Sequence, residues 1–238
     1  MNNLNDLKIK TDGPDVALVD QSCVVEEAGR VEVVLRTLER RLCEEISKAE
    51  YVIGCVAWLT SEPILRALAK CKGAAFVMQK EDWLRPDGSK DFHKQRVRAL
   101  YEAVPLLNRF YFSGLLSECS QLSGDYEFAF RCVGEKSVGP ASPRAHHKFA
   151  IFCGDALQDD PLEGSQDEYK LVRLSPYRVW TGSFNFTYTA QHSFENAVIF
   201  DHPKLVNAYF DEFQQIAALS EPLDWEHDYV EPEWRIGT

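Results

Sequence analysis

The fold of this chain is decided by an apolar run at residues 51–58, which reads YVIGCVAW. A run of this length, bounded by turn-forming residues, is typical of a strand that is buried on both faces of a sheet. Residues 61–69 predict a helix, with Ser61 as its N-cap and Pro63 in its first turn. A second apolar run at 74–78, AAFVM, predicts another buried strand. Helix and strand alternate, which indicates an α/β fold: an α-β-α sandwich around a mixed, largely parallel central sheet.

The remaining elements follow the same helical and strand periodicities. Helices with one apolar face are predicted at 25–49, 90–104 and 203–219. Strands are predicted at 126–133, 147–153, 177–181 and 196–201. We divide the chain into three parts, namely an N-terminal arm (1–22), one domain (23–220) with an acidic insertion at about 154–175, and an acidic C-terminal tail (221–238).

The composition is that of an ordinary globular protein. The 238 residues are 45% apolar and 26% charged, which allows a sizeable core. No apolar run approaches the roughly 18 residues that span a membrane, and residues 1–6 do not resemble a secretory leader. The seven scattered cysteines form no CxxC pair, which favours reduced thiols over disulfides or a cysteine zinc site. We therefore expect a cytoplasmic protein without a membrane partner.

Charge is spread unevenly along the chain. The net charge is −11, with −5 over residues 1–65, +5 over 66–148 and −11 over 149–238. The basic middle third could attract a phosphodiester backbone, which a uniformly acidic protein would repel. The alternative is that the cations of this segment only solvate helix faces, as is common for Arg66, Lys70, Lys72, Lys94, Arg96 and Arg98.

Polar residues whose side chains can take part in catalysis lie at the start of one apolar strand, in RAHHKFAIF at 144–152. The alternation of side chains in a strand sends His146 and Lys148 to one face and His147 to the other. An imidazole beside a fixed ammonium suits phosphate chemistry, because it can act as a nucleophile or proton carrier next to a cation. A single His–x–Lys is equally compatible with a strand-end histidine that makes only local hydrogen bonds.

A second polar cluster lies in TGSFNFT at 181–187 and SFENAVI at 193–199. Ser183 and Asn185 can aim a hydroxyl and an amide at the same non-bridging phosphate oxygens. Glu195 can hold a histidine Nδ1–H, so that Nε2 of the ring attacks. Taken singly, Ser183 and Asn185 are more often turn residues. The inference depends on the occurrence of all these residues in this order.

The series His–x–Lys, Gly–Ser–x–Asn and Glu–Asn resembles the motif of the phospholipase D superfamily. The strings are most similar to its single-motif branch, which holds small bacterial endonucleases and the mitochondrial cardiolipin-hydrolase or piRNA-nuclease relatives. The resemblance covers roughly residues 40–216. It implies a metal-independent phosphodiesterase with no cofactor. In the implied reaction one histidine attacks phosphorus to form a phosphohistidine, a second protonates the leaving oxygen, and water hydrolyses the intermediate.

The resemblance also implies roles for individual residues. Two His–x–Lys sets are needed and this chain supplies one, so a homodimer is expected in which His146 of both subunits meets at one site. Lys148, Ser183 and Asn185 would clamp the phosphoryl oxygens, and Glu195 would orient the histidine. Outside the motif, we expect substrate contacts from Lys80, Arg144 and Trp58. Packing at the core or rim is the alternative for Trp58.

The sequence departs from the family pattern in two places. The family has an aspartate five residues after the lysine, where this chain has Cys153, with Asp155 two residues further on. Thirty-three residues separate Lys148 from Gly182, more than in the compact members. We assign the excess to the acidic insertion. It could shield, gate or regulate the site, or it could be a plain surface hairpin.

The substrate is open at this stage, and a nuclease acting on DNA or RNA is favoured. The basic segment supports it, and Trp58, Trp83 and Phe92 could stack bases. A phospholipase D-type lipid hydrolase would need an apolar docking surface, which the sequence does not show. A degenerate binding or regulatory module is the third hypothesis, and Cys153 favours it. The tail could bind a partner protein, although such runs are more often solvated.

Overall fold

The computed structural model describes residues 8–9, 13–18, 29–85, 91–107, 110–111, 129–136, 143–155 and 172–231. The helices in these ranges are α1 (Leu38–Ile46), α2 (Glu62–Leu68), α3 (Phe92–Glu102) and α4 (Pro203–Ala218). The strands are β1 (Lys8–Ile9), β2 (Val16–Ala17), β3 (Val31–Val34), β4 (Tyr51–Val56), β5 (Gly73–Gln79), β6 (Phe110–Tyr111), β7 (Phe130–Val133), β8 (Lys148–Asp155), β9 (Val172–Gly182) and β10 (Ala197–Phe200).

The central sheet is mixed, with the strand order β3-β10-β9-β8-β4-β5-β7. β4, β5 and β7 are parallel neighbours, and β6 adds a parallel pairing to β9. The pairs β3–β10, β10–β9, β9–β8 and β8–β4 are antiparallel. The mixed sheet agrees with the prediction, but antiparallel pairs outnumber parallel ones along this order. The reason is that β9 and β10 follow each other without an intervening α-helix, and a parallel pair would need a long crossover.

Side chains of β8 alternate between two cores. Ala150 and Phe152 face a core that they share with α1, α2 and α3. Phe149 and Ile151 face a second core, which α4 covers with residues such as Phe213. Helices therefore pack on both faces of the sheet, and the predicted α-β-α sandwich is confirmed.

Most predicted elements agree with the structure to within a few residues. The apolar run at 51–58 contains β4, which is buried along its whole length. Ser61 caps α2, and its side chain accepts a hydrogen bond from the backbone N–H of Ile64 at 3.3 Å. The predictions at 74–78, 90–104, 147–153, 177–181, 196–201 and 203–219 correspond to β5, α3, β8, β9, β10 and α4. The prediction at 126–133 is described from residue 129 onward, where it contains β7.

The helix predicted at 25–49 is wrong in its first half. The described part of this range begins with β3 and turns helical only at Leu38. Val31 and Val33 are exposed on β3, which pairs with β10 at the edge of the sheet. β-branched side chains suit a strand, and pairing with β10 supplies the hydrogen-bond partners that a helix would otherwise provide.

The predicted arm and insertion lie largely outside the described residues. The described part of the arm is the β1–β2 pair with the residues around it. Residues 156–171 of the insertion are likewise not described, so its shielding or gating role stays a prediction. The described cysteines are free thiols, consistent with the reduced state expected: Cys43, Cys55, Cys71, Cys132 and Cys153.

The described part of the C-terminal tail, residues 221–231, is mostly exposed but is attached to the domain by a few buried residues. Glu221 forms an antiparallel bridge with Cys132 of β7, and its side chain is buried. Trp225 is also buried, and the backbone N–H of Lys136 bonds to the Asp228 carbonyl at 2.8 Å. This segment is therefore part of the domain.

A buried carboxylate ties α1 to the edge of the sheet. Glu45 accepts hydrogen bonds from Lys48 at 2.7 Å, from Arg178 of β9 at 2.8 Å, and from Arg41. Burial opposes ionisation of Glu45, but these three hydrogen bonds outweigh it and lower its pKa to about 2. Because the folded pKa lies below the unfolded one, Glu45 stabilises the fold above the unfolded pKa, and this stabilisation is lost as the pH falls toward 2.

We predict that Glu45→Gln lowers the free energy of unfolding by about 2 kcal/mol at pH 7, since it weakens three charge-assisted hydrogen bonds. The difference from the wild type should shrink below the unfolded pKa and vanish near pH 2. Urea unfolding followed by circular dichroism at several pH values measures it. The exposed neighbour provides a control, Glu44→Gln, which should change stability by less than about 0.5 kcal/mol. A pH-independent difference for Glu45→Gln would contradict the assignment.

Candidate active site

Strand pairing brings the two sequence motifs to one edge of the sheet. β8 begins at Lys148, opposite Val56 near the end of β4. β9 is antiparallel to β8 and ends at Gly182, opposite Ala197 at the start of β10. The beginning of β8, the end of β9 and the beginning of β10 therefore lie side by side. The His–x–Lys and Gly–Ser strings meet there although 33 residues separate them in sequence.

His146 lies immediately before β8 and is exposed. Its ring meets Trp58 edge-on, with 6.0 Å between ring centroids, and the Trp58 indole N–H donates to Glu81 at 3.1 Å. Partial burial lowers the pKa of His146, and the charges of Lys148 and Arg144 lower it further. The site therefore favours the neutral imidazole, which is the form that can attack phosphorus.

Lys148 holds a cation beside this histidine. Its side chain is only 8% exposed, and Nζ donates a hydrogen bond to the His146 carbonyl at 2.9 Å. Burial lowers the pKa of Lys148, and the charge of Glu195 acts in the opposite direction. A buried ammonium with a nearby carboxylate stays charged and gains from an anionic ligand.

Ser183 joins the end of β9 to Glu195. Its hydroxyl donates to Glu195 Oε2 and accepts from the backbone N–H of Asn196 at 3.1 Å. Gly182 makes this approach possible, because a Cβ at that position would lie 2.1 Å from the Asn196 carbonyl oxygen. The partner of the Glu195 carboxylate in the structure is thus Ser183, whereas the sequence suggested that it orients the histidine.

Asn185 is half-buried between two phenylalanines of the core, Phe184 and Phe186. Its Oδ1 atom is buried and has no hydrogen-bond partner among the described residues. The chain around it is anchored to the end of β4, since the Phe186 N–H bonds to the Trp58 carbonyl at 3.1 Å. A buried amide oxygen without a partner is uncommon in folded proteins, and here it lies among the motif residues.

His147 points to the opposite face of the sheet, as the strand alternation predicted. Its ring packs edge-on against Phe149 at 5.7 Å, and Nε2 lies 3.7 Å from Glu212 of α4. His147 therefore belongs to the contact between β8 and α4, and the neighbouring His146 faces the candidate site.

Lys80 does not lie in the candidate site, so its predicted substrate contact is wrong. Its side chain is 0% exposed and pairs with Glu221. Its Nζ donates to the carbonyls of His227 at 2.9 Å and Tyr229 at 2.8 Å. The sequence shows only a lysine that follows a strand, but the C-terminal segment folds over that position and takes up its charge.

Trp58 and Arg144 are placed near His146, as expected for the rim of a site. Both are half-buried. Trp58 contacts the imidazole directly, and Arg144 is close enough for its charge to lower the pKa of His146. Their contact with a substrate stays a prediction.

Two polar residues that the sequence analysis did not single out support the site. Gln79, at the end of β5, accepts a hydrogen bond from the Ala145 N–H at 2.7 Å and so fixes the segment that carries His146. Glu81 holds the Trp58 indole. A polar residue at the end of an otherwise apolar strand is the signal that could have indicated Gln79.

Cys153 stands where the family pattern has an aspartate, and it lies in the core under α4. Burial raises the pKa of its thiol well above the ordinary value, so Cys153 stays a neutral thiol. A carboxylate at this position would have to be buried among apolar side chains at a large cost. A second literal His–x–Lys, His202 and Lys204, follows the far end of β10 and is remote from the candidate site.

The described residues hold no group of three or more His, Cys, Asp or Glu side chains placed to ligate a metal ion. Among the helices described, none combines the length and the apolar character needed to cross a bilayer.

Comparisons with solved structures identify the fold. NucT from Helicobacter pylori superposes with a TM-score of 0.50 at 12% identity, over 82% of this chain and 99% of that one. The phospholipase D family member Nuc from Salmonella typhimurium covers 82% of this chain and 97% of its own, at 15% identity and a TM-score of 0.45. The chain has the same fold as NucT. At 12% and 15% sequence identity, these comparisons show similarity of fold alone.

A sequence relative of this chain is found in a giant virus. The uncharacterized protein L381 of Acanthamoeba polyphaga mimivirus is 29% identical over 199 residues. The match covers 79% of this chain and 65% of the viral protein, so the chain corresponds to a part of that longer protein. No protein-family profile matches the sequence.

We predict that Lys148→Met raises the pKa of His146, because it removes one of the cations that oppose protonation of the imidazole. Long-range ¹H–¹⁵N NMR spectra recorded against pH measure the titration of each histidine. Lys48→Met is the matched control, since Lys48 pairs with Glu45 and should leave the His146 titration unchanged. An unchanged or lower pKa of His146 in Lys148→Met would contradict the described site.

Proposed function

We propose that the protein is a metal-independent phosphodiesterase that cleaves nucleic acid through a phosphohistidine intermediate. The observation that carries this proposal is the convergence of His146, Lys148 and the Ser183–Glu195 pair at one edge of the sheet. These groups are a nucleophile in its neutral form, a buried cation and a hydrogen-bond donor held by a carboxylate. Together they match the requirements of phosphoryl transfer.

The described groups would act in sequence. His146 Nε2 attacks phosphorus, a P–N bond forms, and the bond to the leaving oxygen breaks. A second histidine donates the proton to that oxygen. The same histidine then takes a proton from water, whose oxygen attacks phosphorus and breaks the P–N bond. Lys148 and the Asn185 side-chain NH₂ would donate to the non-bridging oxygens, and the Ser183 hydroxyl, which Glu195 holds in place, would turn its one proton from that carboxylate to the phosphate.

We propose that the second histidine comes from a second subunit, as the family resemblance implies. His147 faces α4 and the His202–Lys204 spacing lies at the other end of β10, so neither lies beside His146. His146 is exposed and accessible to another copy of the chain. We propose a symmetric homodimer in which the two copies of His146 share one site, and we expect activity to show a bell-shaped dependence on pH.

Nucleic acid is favoured over lipid as the substrate. The segment 66–148, which ends at the site lysine, carries a net charge of +5 in a protein of −11. A local positive field of this kind attracts a polyanionic backbone. Trp58 beside His146 offers an aromatic edge to a base or sugar. We also propose a cytoplasmic location and a protein partner that binds the C-terminal segment.

We predict that His146→Ala loses activity on the order of 10³-fold or more, as for other covalent nucleophiles. The assay offers labelled single- and double-stranded DNA, RNA and a fluorogenic phospholipid, all in EDTA. His147→Ala is the matched control, since this neighbour faces α4, and it should retain activity within about tenfold of the wild type.

The alternatives give different results in the same assay. Cleavage of the lipid alone would indicate a phospholipase D-type hydrolase. A wild-type protein that cleaves none of these substrates and forms no acid-labile phosphohistidine would be a degenerate binding module. Strict dependence on added Mg²⁺ or Mn²⁺ would refute the metal-independent mechanism.

We predict that His146→Ala subunits inactivate wild-type subunits when the two are mixed. Light scattering should give about twice the 27.2 kDa chain mass. After co-refolding of equal amounts, random pairing leaves about one quarter of the dimers fully wild-type, so a shared site retains about a quarter of the activity. Independent sites would retain about half. An active monomer, or retention of half the activity, would refute the shared site.

A further inference from the structure

A cleft opens beside the candidate active site. Two segments line it, 35–40 at the start of α1 and 191–194 in the loop before β10, and its volume is about 470 Å³. This volume lies within the range of small-molecule binding sites. Seven of its ten lining residues are polar or charged, while apolar atoms make up the larger part of the lining surface, a mixture that suits a planar ligand with polar edges.

The cleft and the candidate active site share one loop, residues 183–196. Its first residue, Ser183, donates to Glu195, and the cleft residues 191–194 lead directly into that glutamate. The wall of the cleft is fixed by Glu39, which accepts hydrogen bonds from Gln191 at 2.6 Å and Ser61 at 2.5 Å. A ligand in the cleft would therefore contact Phe194, the residue immediately before Glu195 in the chain.

An exposed aromatic ring and a guanidinium, those of Phe194 and Arg36, lie at this cleft and are called the aromatic platform below. The Phe194 side chain is 95% exposed, and the Arg36 guanidinium lies 5.5 Å from its ring centroid. Exposed phenylalanines are uncommon, because leaving such a ring in water forgoes its favourable burial. A ring beside a guanidinium offers two planar groups against which a nucleobase can stack.

We propose that Phe194 and Arg36 form a stacking subsite for an unpaired nucleobase, so that the substrate is single-stranded nucleic acid. This inference rests on the proposed function and names its substrate class. Stacking uses the π-face that every base has, and Arg36 adds a positive charge toward the neighbouring phosphate. The base would lie in the cleft while a phosphate of the same strand reaches His146. A base in a duplex is already stacked on both faces and cannot enter.

A second copy of the chain is the competing occupant of this surface. The cores of subunit interfaces are depleted in charged residues, whereas this cleft contains Arg36, Glu39 and Arg40. Glu39 is engaged by Ser61 and Gln191, and Arg40 pairs with Glu44. Arg36 lies beside the Phe194 ring, so the platform carries a positive charge that can attract a polyanion.

The test measures binding of a single-stranded DNA oligonucleotide that carries 2-aminopurine, whose fluorescence is quenched when the base stacks. All proteins carry His146→Ala to prevent cleavage. We expect Phe194→Ala to weaken binding roughly 5- to 150-fold and to abolish the quenching. Phe194→Trp should bind like the parent, and Phe194→Leu should behave like Phe194→Ala. Tyr229→Ala is the matched control, because the Tyr229 ring is 50% exposed in the C-terminal segment and does not line the cleft.

Several outcomes would overturn the inference. These are full affinity of Phe194→Ala, full affinity of Phe194→Leu, an equal loss of affinity in Tyr229→Ala, or an equal effect of Phe194→Ala on binding to a duplex of the same sequence. Loss of the dimer in Phe194→Ala, measured by light scattering, would assign the residue to a subunit contact instead. If the wild type binds through Phe194 but cleaves nothing, the subsite stands and the nuclease proposal fails. If it cleaves but Phe194→Ala binds normally, only the subsite fails.

Discussion

Antiparallel pairing of β8, β9 and β10 is the constraint on which the candidate site depends. It places Lys148 at the start of one strand beside Gly182 at the end of the next, and Gly182 opposite Ala197. Successive side chains of a strand face opposite sides, so a slip of one residue in β8 would turn Lys148 into the core under α4. Gly182 lets β9 and β10 approach closely enough for Ser183 to reach Glu195.

Electrostatics at this edge prepare it for an anion. Burial and neighbouring cations disfavour a proton on His146, and burial also disfavours the charge on Lys148. The carboxylate of Glu195 offsets only part of that cost. A phosphate would supply the missing negative charge and accept hydrogen bonds from these groups. Such perturbed groups in close proximity are characteristic of functional sites.

Local sequence patterns predicted much of the fold and the motif residues of the site. Continuous apolar runs indicated β4 and β5, and the order of polar residues around His146 and Ser183 indicated their shared role. The edge strand β3 was mistaken for helix, because Val31 and Val34 also fit a helical spacing. Their strand conformation comes from pairing with β10, which is remote in sequence. Helix–strand alternation likewise overstated the parallel character of the sheet.

The sequence by itself determined the buried strands, their covering helices and the side of β8 on which His146 lies. These properties follow from the periodicity of neighbouring residues, which acts over a few positions. Only the tertiary structure decided that Lys80 is buried by the C-terminal segment, that Glu195 binds Ser183, and that Phe194 stands exposed at a cleft with Arg36. Each of these depends on segments that are distant in the chain, or on how much solvent the folded neighbours leave. A local pattern carries no information about such contacts.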